Sequence, residues 1–269
     1  MASSNLSLSM SNTAGDVATV HAALSGVAAA LGLDALDTDN LHTAVGEACK
    51  NVMHHAYEGL EGLLELEVSS TPGALEVLVR DHGMGIRPLV GERTLPHTGI
   101  GLPIVHSLTR RITYTNLEAG GTEVIMRFDL PGAAVLGPPA PTMARDSAAG
   151  TAIALAPAAL AGAVLPRVLV ALATRAEFTA ERLADVQLLG KVIAAGGGRV
   201  LGEQPLALLA DIAPGALTLR IHPLPAGAGD RLLDADAEAD TALRRVISGR
   251  ELAADGAAET LELRLTGRG

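Results

Sequence analysis

The feature that most limits the fold of this chain is a repeat. Pro72-Gly73-Ala74-Leu75 recurs as Pro214-Gly215-Ala216-Leu217, an offset of 142 residues. Four identical residues in a row are within reach of chance where 30 glycines are spread over 269 residues. The same offset, without gaps, also places Leu36 on Phe178, Asp39 on Glu181, Leu41 on Leu183 and Val79 on Ile221. Matching apolar positions in one register point to a duplicated unit, and the length suits two units of ~100–200 residues each. The expected organisation is a first domain over 1–131, a Pro/Ala-rich linker over 132–146 and a degenerate copy over 147–269.

Hydrophobic periodicity fills in the first unit. Leu6, Leu8 and Met10 alternate with polar residues as in a strand, and Val17, Val20, Leu24, Val27 and Leu31 then recur at helical spacing. A second helix is announced by a cap within Asp37-Thr38-Asp39-Asn40, has an apolar side from Leu41 to Ala56 and ends near Tyr57 to Gly59. Leu64-Leu66-Val68 and Leu75-Val77-Val79 alternate around Thr71-Pro72-Gly73, the pattern of a hairpin. A Gly/Pro/His-rich loop from Gly83 to Gly99 leads to a third helix through Arg110, and strands near Ile112–Thr115 and Val124–Phe128 close the unit. The fold class expected is α+β, a two-layer α/β sandwich followed by a repeat of similar architecture.

Composition narrows the function. A net charge of −10 repels nucleic acid and anionic membranes, and with no Trp, two Tyr and two Phe there is little on which bases can stack. Neither direct nucleic-acid binding nor membrane association is expected. Cys49 is the single cysteine, so no disulfide within the chain and no thiolate cage can form. The first residues carry no basic region and no apolar run of signal-peptide length, and the expected location is cytoplasmic. Ser147 to Pro166 lacks charge, but it is mostly alanine and contains Pro157, which suits a buried strand and helix better than a membrane span.

Four segments can carry chemistry. On the second helix Glu47 and Asn51 are four apart, with His54 on the same stripe. Such a pair can hold a divalent cation through oxygen and leave a carboxylate as base, or it can be an ordinary solvated face beside Lys50. His54-His55 alone is weak evidence for a metal. Asp81, Gly83, Gly85 and Ile86 follow a strand, where glycines admit a flat ligand and the carboxylate accepts from an exocyclic amine. Thr98, Gly99, Gly101 and Leu102 open a helix whose free N–H groups favour a phosphate, or are simply a glycine-rich helix start. Gly120-Gly121-Thr122-Glu123-Val124 is a turn entering a strand.

In that order and context, E-x3-N, D-x-G-x-G-I, G-x-G-L and G-T-x-V resemble the Bergerat ATP-binding fold of the GHKL superfamily. The short stretch between the glycine motifs and the opening strand–helix look most like the bacterial anti-sigma-factor serine kinases. The resemblance covers about residues 5–130 and reaches the rest only through the repeat. It implies ATP and Mg²⁺ as cofactors, with Glu47 as general base, Asn51 as the magnesium ligand and Asp81 reading adenine. Gly83, Gly85 and Ile86 would line the base, Thr98, Gly99, Gly101 and Leu102 would lie at the phosphates, and Thr122 would hold the adenine side. Arg87 to Thr98 would form the lid, where His97 stands in place of an arginine that such kinases often use, with Arg93 nearby.

The resemblance implies a protein serine/threonine kinase that regulates transcription through two partners, a STAS-type anti-anti-sigma protein and a sigma factor. The rival reading is a non-catalytic, ATP-gated protein-binding regulator; a more distant one is an isolated histidine-kinase ATPase module. At offset 142 Glu47 falls on Leu189, Asn51 on Ile193, Asp81 on Pro223 and Gly83 on Pro225, so the copy is expected to be silent. It would serve as a packing partner, a pseudo-dimer half or a docking surface for another protein; a homodimer is the alternative to an intrachain pseudo-dimer.

Overall fold

The computed structural model describes residues 3–85, 101–141, 150–235, 237–256 and 258–267. In chain order the elements are β1 (Ser3–Ser4), β2 (Leu6–Ser11), α1 (Ala14–Leu31), α2 (Ala35–Asn51), β3 (Leu63–Thr71), β4 (Ala74–Asp81), α3 (Gly101–Leu108), β5 (Arg111–Asn116) and β6 (Thr122–Asp129). There follow β7 (Ala140–Pro141), β8 (Thr151–Leu155), α4 (Ala161–Arg175), α5 (Ala180–Leu201), β9 (Leu206–Ala213), β10 (Ala216–Pro225), α6 (Ala228–Arg231), α7 (Ala237–Val246), β11 (Ile247–Asp255) and β12 (Ala258–Thr266). The fold is α+β.

Ten strands form one sheet in the order β11-β12-β10-β9-β8-β2-β3-β4-β6-β5. Read outward from the centre, β8-β9-β10-β12-β11 repeats β2-β3-β4-β6-β5, and the two series meet where β2 pairs antiparallel with β8. Every neighbouring pair is antiparallel, which goes beyond the partial antiparallel character read from the hairpin. Alternation decides the two faces. Leu6, Leu8 and Met10 line up through the register with Leu64, Leu66 and Val68 and with Ile153 and Leu155, all buried in one core with α1, α2, α4 and α5. The residues between them, such as Ser7, Ser9, Glu65 and Glu67, face the other way.

The repeat has a slip that a gapless offset conceals. The hairpin β3–β4 matches β9–β10 at 142, since Thr71 pairs with Ala74 as Ala213 pairs with Ala216. The helices do not. The Asp34 side chain caps α2 and that of Thr179 caps α5, which is 145 positions later. At that spacing Leu41, Ala44 and Ala48 fall on Val186, Leu189 and Ile193, all buried. Glu47 therefore corresponds to Val192 and Asn51 to Gly196, not to Leu189 and Ile193. Three residues are lost in the link between the long helix and the hairpin.

Two further expectations are corrected. The cap of α2 is Asp34, whose carboxylate accepts from the Asp37 N–H at 2.8 Å, so Asp37 to Asn40 lie inside the helix. Leu36 points to solvent, so that turn lacks the apolar pattern that marks a helix start. The described part of the presumed linker is not a free connector. Leu136 is buried and donates its N–H to Ser70 Oγ at 2.7 Å, while β7 pairs with β1. The charge-free stretch becomes β8 and the start of α4. Among the described residues two helical stretches, Ala14–Leu31 and Ala158–Arg175, are long and apolar enough to cross a membrane, yet about half of each window, 50% and 56%, is buried in this core.

Across the seam α1 packs on α4 at Gly26, where an added Cβ would lie 2.6 Å from Val164 Cα and 2.7 Å from the Ala163 carbonyl. Buried Asp16 reaches Arg175 at 2.6 Å over the same seam. Gly26→Ala is expected to destabilise the chain by about 1–3 kcal/mol, because backbone has to move to admit the methyl. The urea midpoint measures this, with Gly162→Ala as the control, since a Cβ there meets nothing within 4 Å.

Candidate functional site

The site forms where α2 ends over the C-terminal end of β4. After Asn51 the helix widens into a π-turn, Val52–Ala56, of the kind that recurs at functional sites. Glu47 is half-buried and Asn51 exposed, so both stand on the side of the helix turned from the core, while Cys49 is buried and its thiol is pushed up to about 12 by desolvation. Cys49 is thus no nucleophile. Lys50 bonds Glu47 Oε1 at 2.6 Å, an i,i+3 pair that ties the carboxylate back along its own helix. His54 and His55 are exposed, and no group of three metal-ligating side chains occurs among the described residues.

The π-turn and the strand end are locked together. Met84 donates its N–H to the Ala56 carbonyl at 3.0 Å, and a Cβ on Gly83 would lie 2.0 Å from that same oxygen. Gly83 is therefore required for the close approach of β4 to the helix end. Tyr57 completes the join: its hydroxyl donates to the Leu63 carbonyl at 2.6 Å and accepts from the His82 N–H at 2.8 Å.

Asp81 is the last residue of β4 and only 4% exposed. Its Oδ1 accepts from the Gly83 N–H at 2.9 Å, and the backbone and hydroxyl of Thr122, the first residue of β6, also bond it. Burial raises its pKa, and the bonds from Gly83 and Thr122 and the nearby His82 pull against that rise. Gly121 makes the neighbourhood possible: its φ is +99° and a Cβ would meet the Asp81 carbonyl at 2.0 Å. Gly85, at φ +72°, lies beside Gly121 and Asn116. Behind β4, on the open sheet face, Arg80 bonds Glu123 at 2.7 Å and His82 bonds Glu65 at 2.9 Å.

The structure thus joins Asp81, Gly83 and Thr122 by hydrogen bonds, sets Gly85 beside them and carries Glu47 and Asn51 on the helix that ends against Gly83. Gly101 begins α3, and the Leu102 side chain lies outside the described residues. So do Ile86, Thr98 and Gly99, together with the expected lid and its Arg93 and His97. Sequence reasoning left out Tyr57 and Gly121 as site residues. A signal existed for each, since Tyr57 is one of two tyrosines and stands at a helix end, and Gly121 belongs to a Gly-Gly pair before a strand.

The donor set fits a purine nucleotide: a buried acid to accept from an exocyclic amine, a hydroxyl beside it and an amide and a carboxylate one turn apart on the adjoining helix. Residues 10–128 match the family described as the histidine kinase-like ATPase domain. Over residues 10–128 the chain thus resembles a GHKL-type ATPase domain. It resembles the anti-sigma-factor kinases: the serine-protein kinase RsbW of Bacillus cereus (strain AH820) is 29% identical over 122 residues, covering 41% of this chain and 75% of that protein. RsbW of Bacillus mycoides (strain KBAB4) is 28% identical over the same length and the same shares. Among solved structures, the histidine kinase domain of the Erythrobacter litoralis EL346 blue-light activated histidine kinase aligns at 26% identity and a TM-score of 0.30, over 36% of this chain and 46% of that one.

The raised pKa of Asp81 sets a sign for stability. Folding disfavours its charged form, so its contribution is most favourable below the ordinary carboxylate value and declines as pH rises through the higher folded value. Asp81→Asn is expected to flatten that segment of the stability–pH curve, measured by urea midpoints on either side of it. An unaltered segment would place the titration elsewhere.

Proposed function

We propose that this chain is an ATP-dependent protein serine/threonine kinase of the anti-sigma-factor type, which phosphorylates a STAS-type anti-anti-sigma protein and sequesters a sigma factor. The observation that carries the reading is the buried Asp81, held by Gly83 and Thr122 at the point where the helix bearing Glu47 and Asn51 ends. The likeness to RsbW supports the choice of a serine kinase. Asp81 would read the adenine amine, Asn51 would give its amide oxygen to Mg²⁺, and Gly99 and Gly101 would offer backbone N–H groups to phosphate. ATP, when bound, supplies the transferable γ-phosphoryl group. Glu47 would take the proton from the partner's serine or threonine Oγ, once its carboxylate swings from Lys50.

On this reading the domains are 1–131 and 147–269, and the second binds no nucleotide. Val192 and Gly196 stand where Glu47 and Asn51 do, and the Leu232 carbonyl would be 2.0 Å from a Cβ on Gly196. Glu259, which the register aligns with Thr122, accepts from the Gly227 N–H at 2.7 Å and the Gly229 N–H at 2.9 Å, so the chain's own carboxylate takes those donors. The copy would be an intrachain pseudo-dimer half. The rival reading, a nucleotide-gated binder that transfers nothing, draws support from the Lys50–Glu47 bond.

Calorimetry with ATP and Mg²⁺ is expected to give one site per chain, and Asp81→Ala to abolish it; two sites would contradict a silent copy. Asn51→Ala should weaken ATP far more with Mg²⁺ than in EDTA, because the lost oxygen faces the metal. Glu47→Gln should bind ATP normally and lower phosphoryl transfer to a STAS partner by ~10²–10⁴-fold. A parental chain that binds both and never yields acid-stable phosphate on the partner decides for the rival.

A further inference from the structure

A cavity of about 310 Å³ opens at the end of the first half remote from Asp81. Leu75, at the start of β4, lies in its wall, and the seven-residue run from there to Asp81 spans roughly 20 Å. The floor is apolar, made by Leu41, Leu75 and Phe128, all buried. Its volume is near the lower end of the ~300–1,000 Å³ common for small-ligand sites.

The rim is rich in side-chain oxygen acceptors. Asp37 and Asn40, on the first turns of α2, line it, and their side chains have no partner among the described residues. Ser107 and Thr109 line it from the end of α3. Their hydroxyl protons go to the Ile104 and Val105 carbonyls, at 2.7 and 2.8 Å, which leaves oxygen lone pairs for a ligand. The negative end of the α3 dipole opens on the same space. At the α2 end Asp34 accepts from the Asp37 N–H, which offsets part of the positive pole there, and the one cation on the rim among the described residues, Arg110, pairs with Asp129 at 2.7 Å.

Unsatisfied acceptors over an apolar floor suit a ligand with several N–H donors on an aliphatic stem. We propose that this corner binds an alkyl guanidinium or alkyl ammonium group, offered by a free amine or by an arginine or lysine side chain of a partner. Its lever is α3, which runs from Gly101 to the cavity over about 12 Å. An occupant therefore bears on the far end of the helix that begins at the phosphate motif; this coupling rests on the nucleotide reading above, whereas the binding does not.

The test is a titration of the ¹⁵N-labelled full chain with butylguanidinium, with its neutral isostere butylurea and with N-acetyl-arginine amide, all without nucleotide. Saturable amide shifts confined to residues 37–41, 107–110 and 128–130 are expected with the two cations and not with the urea. Asp37→Asn and Asn40→Leu should each weaken them at least fivefold, the second variant guarding against a helix-start defect in the first. Tighter binding of the capped arginine identifies a protein side chain as the source, and equal binding a free cation. Equal shifts with butylurea, shifts elsewhere only, or none at millimolar cation would overturn the site. ADP affinity should then change at least threefold in saturating butylguanidinium; an unchanged value, with ADP bound, overturns the coupling alone.

Discussion

The pairing of β2 with β8 is the constraint on which the rest of this structure depends. Leu6 opposite Leu155 and Leu8 opposite Ile153 turn two five-stranded series into one sheet, and each series thereby covers an edge that would otherwise expose unpaired backbone. Asn5, wholly buried, pins the seam: its amide nitrogen donates to the Gly137 and Ala156 carbonyls at 3.0 Å each, and its oxygen accepts from the Ser70 N–H at 3.1 Å. Once the central strands meet, α1 and α4 must share the space above them. Gly26 and the Asp16–Arg175 pair are the local answers to that crowding.

The corner around Asp81 obeys a different rule, close approach of backbone to backbone. Gly83 against Ala56 and Gly121 against Asp81 bring three chain segments nearer than any side chain permits. The acid is thereby buried among donors, and burial in turn raises its pKa. In the second half the corresponding segments close on themselves instead, with Glu259 taking the N–H groups of Gly227 and Gly229. The same scaffold thus ends in a buried acid beside Thr122 in one half and, in the other, in Glu259 bonded to Gly227 and Gly229.

What was legible in the sequence was whatever depends on short-range periodicity or on a residue type with few alternatives. The alternation of Leu6, Leu8 and Met10, the hairpin at Pro72-Gly73, the helix face from Leu41 to Ala56 and the order of the four motifs could each be read locally. The α2 cap was missed because Leu36 is exposed and its turn carries no apolar signal. The site role of Tyr57 was missed because it consists of two bonds to backbone on other segments, Leu63 and His82.

The sequence by itself determined the α+β class and the duplication, because those follow from spacing along one chain, whereas the candidate roles of Glu47, Asn51, Asp81 and Thr122 were implied by the resemblance of the ordered motifs to a known family. Tertiary structure alone decided that the halves share a single sheet, that the copies slip by three residues between helix and hairpin, and that residues 132–141 fold onto the seam. It also decided that an acceptor-lined cavity closes over the far end of α3. Each of these is set by strand register and by backbone contacts between residues dozens to more than a hundred positions apart, and no periodicity along the chain encodes which edge meets which.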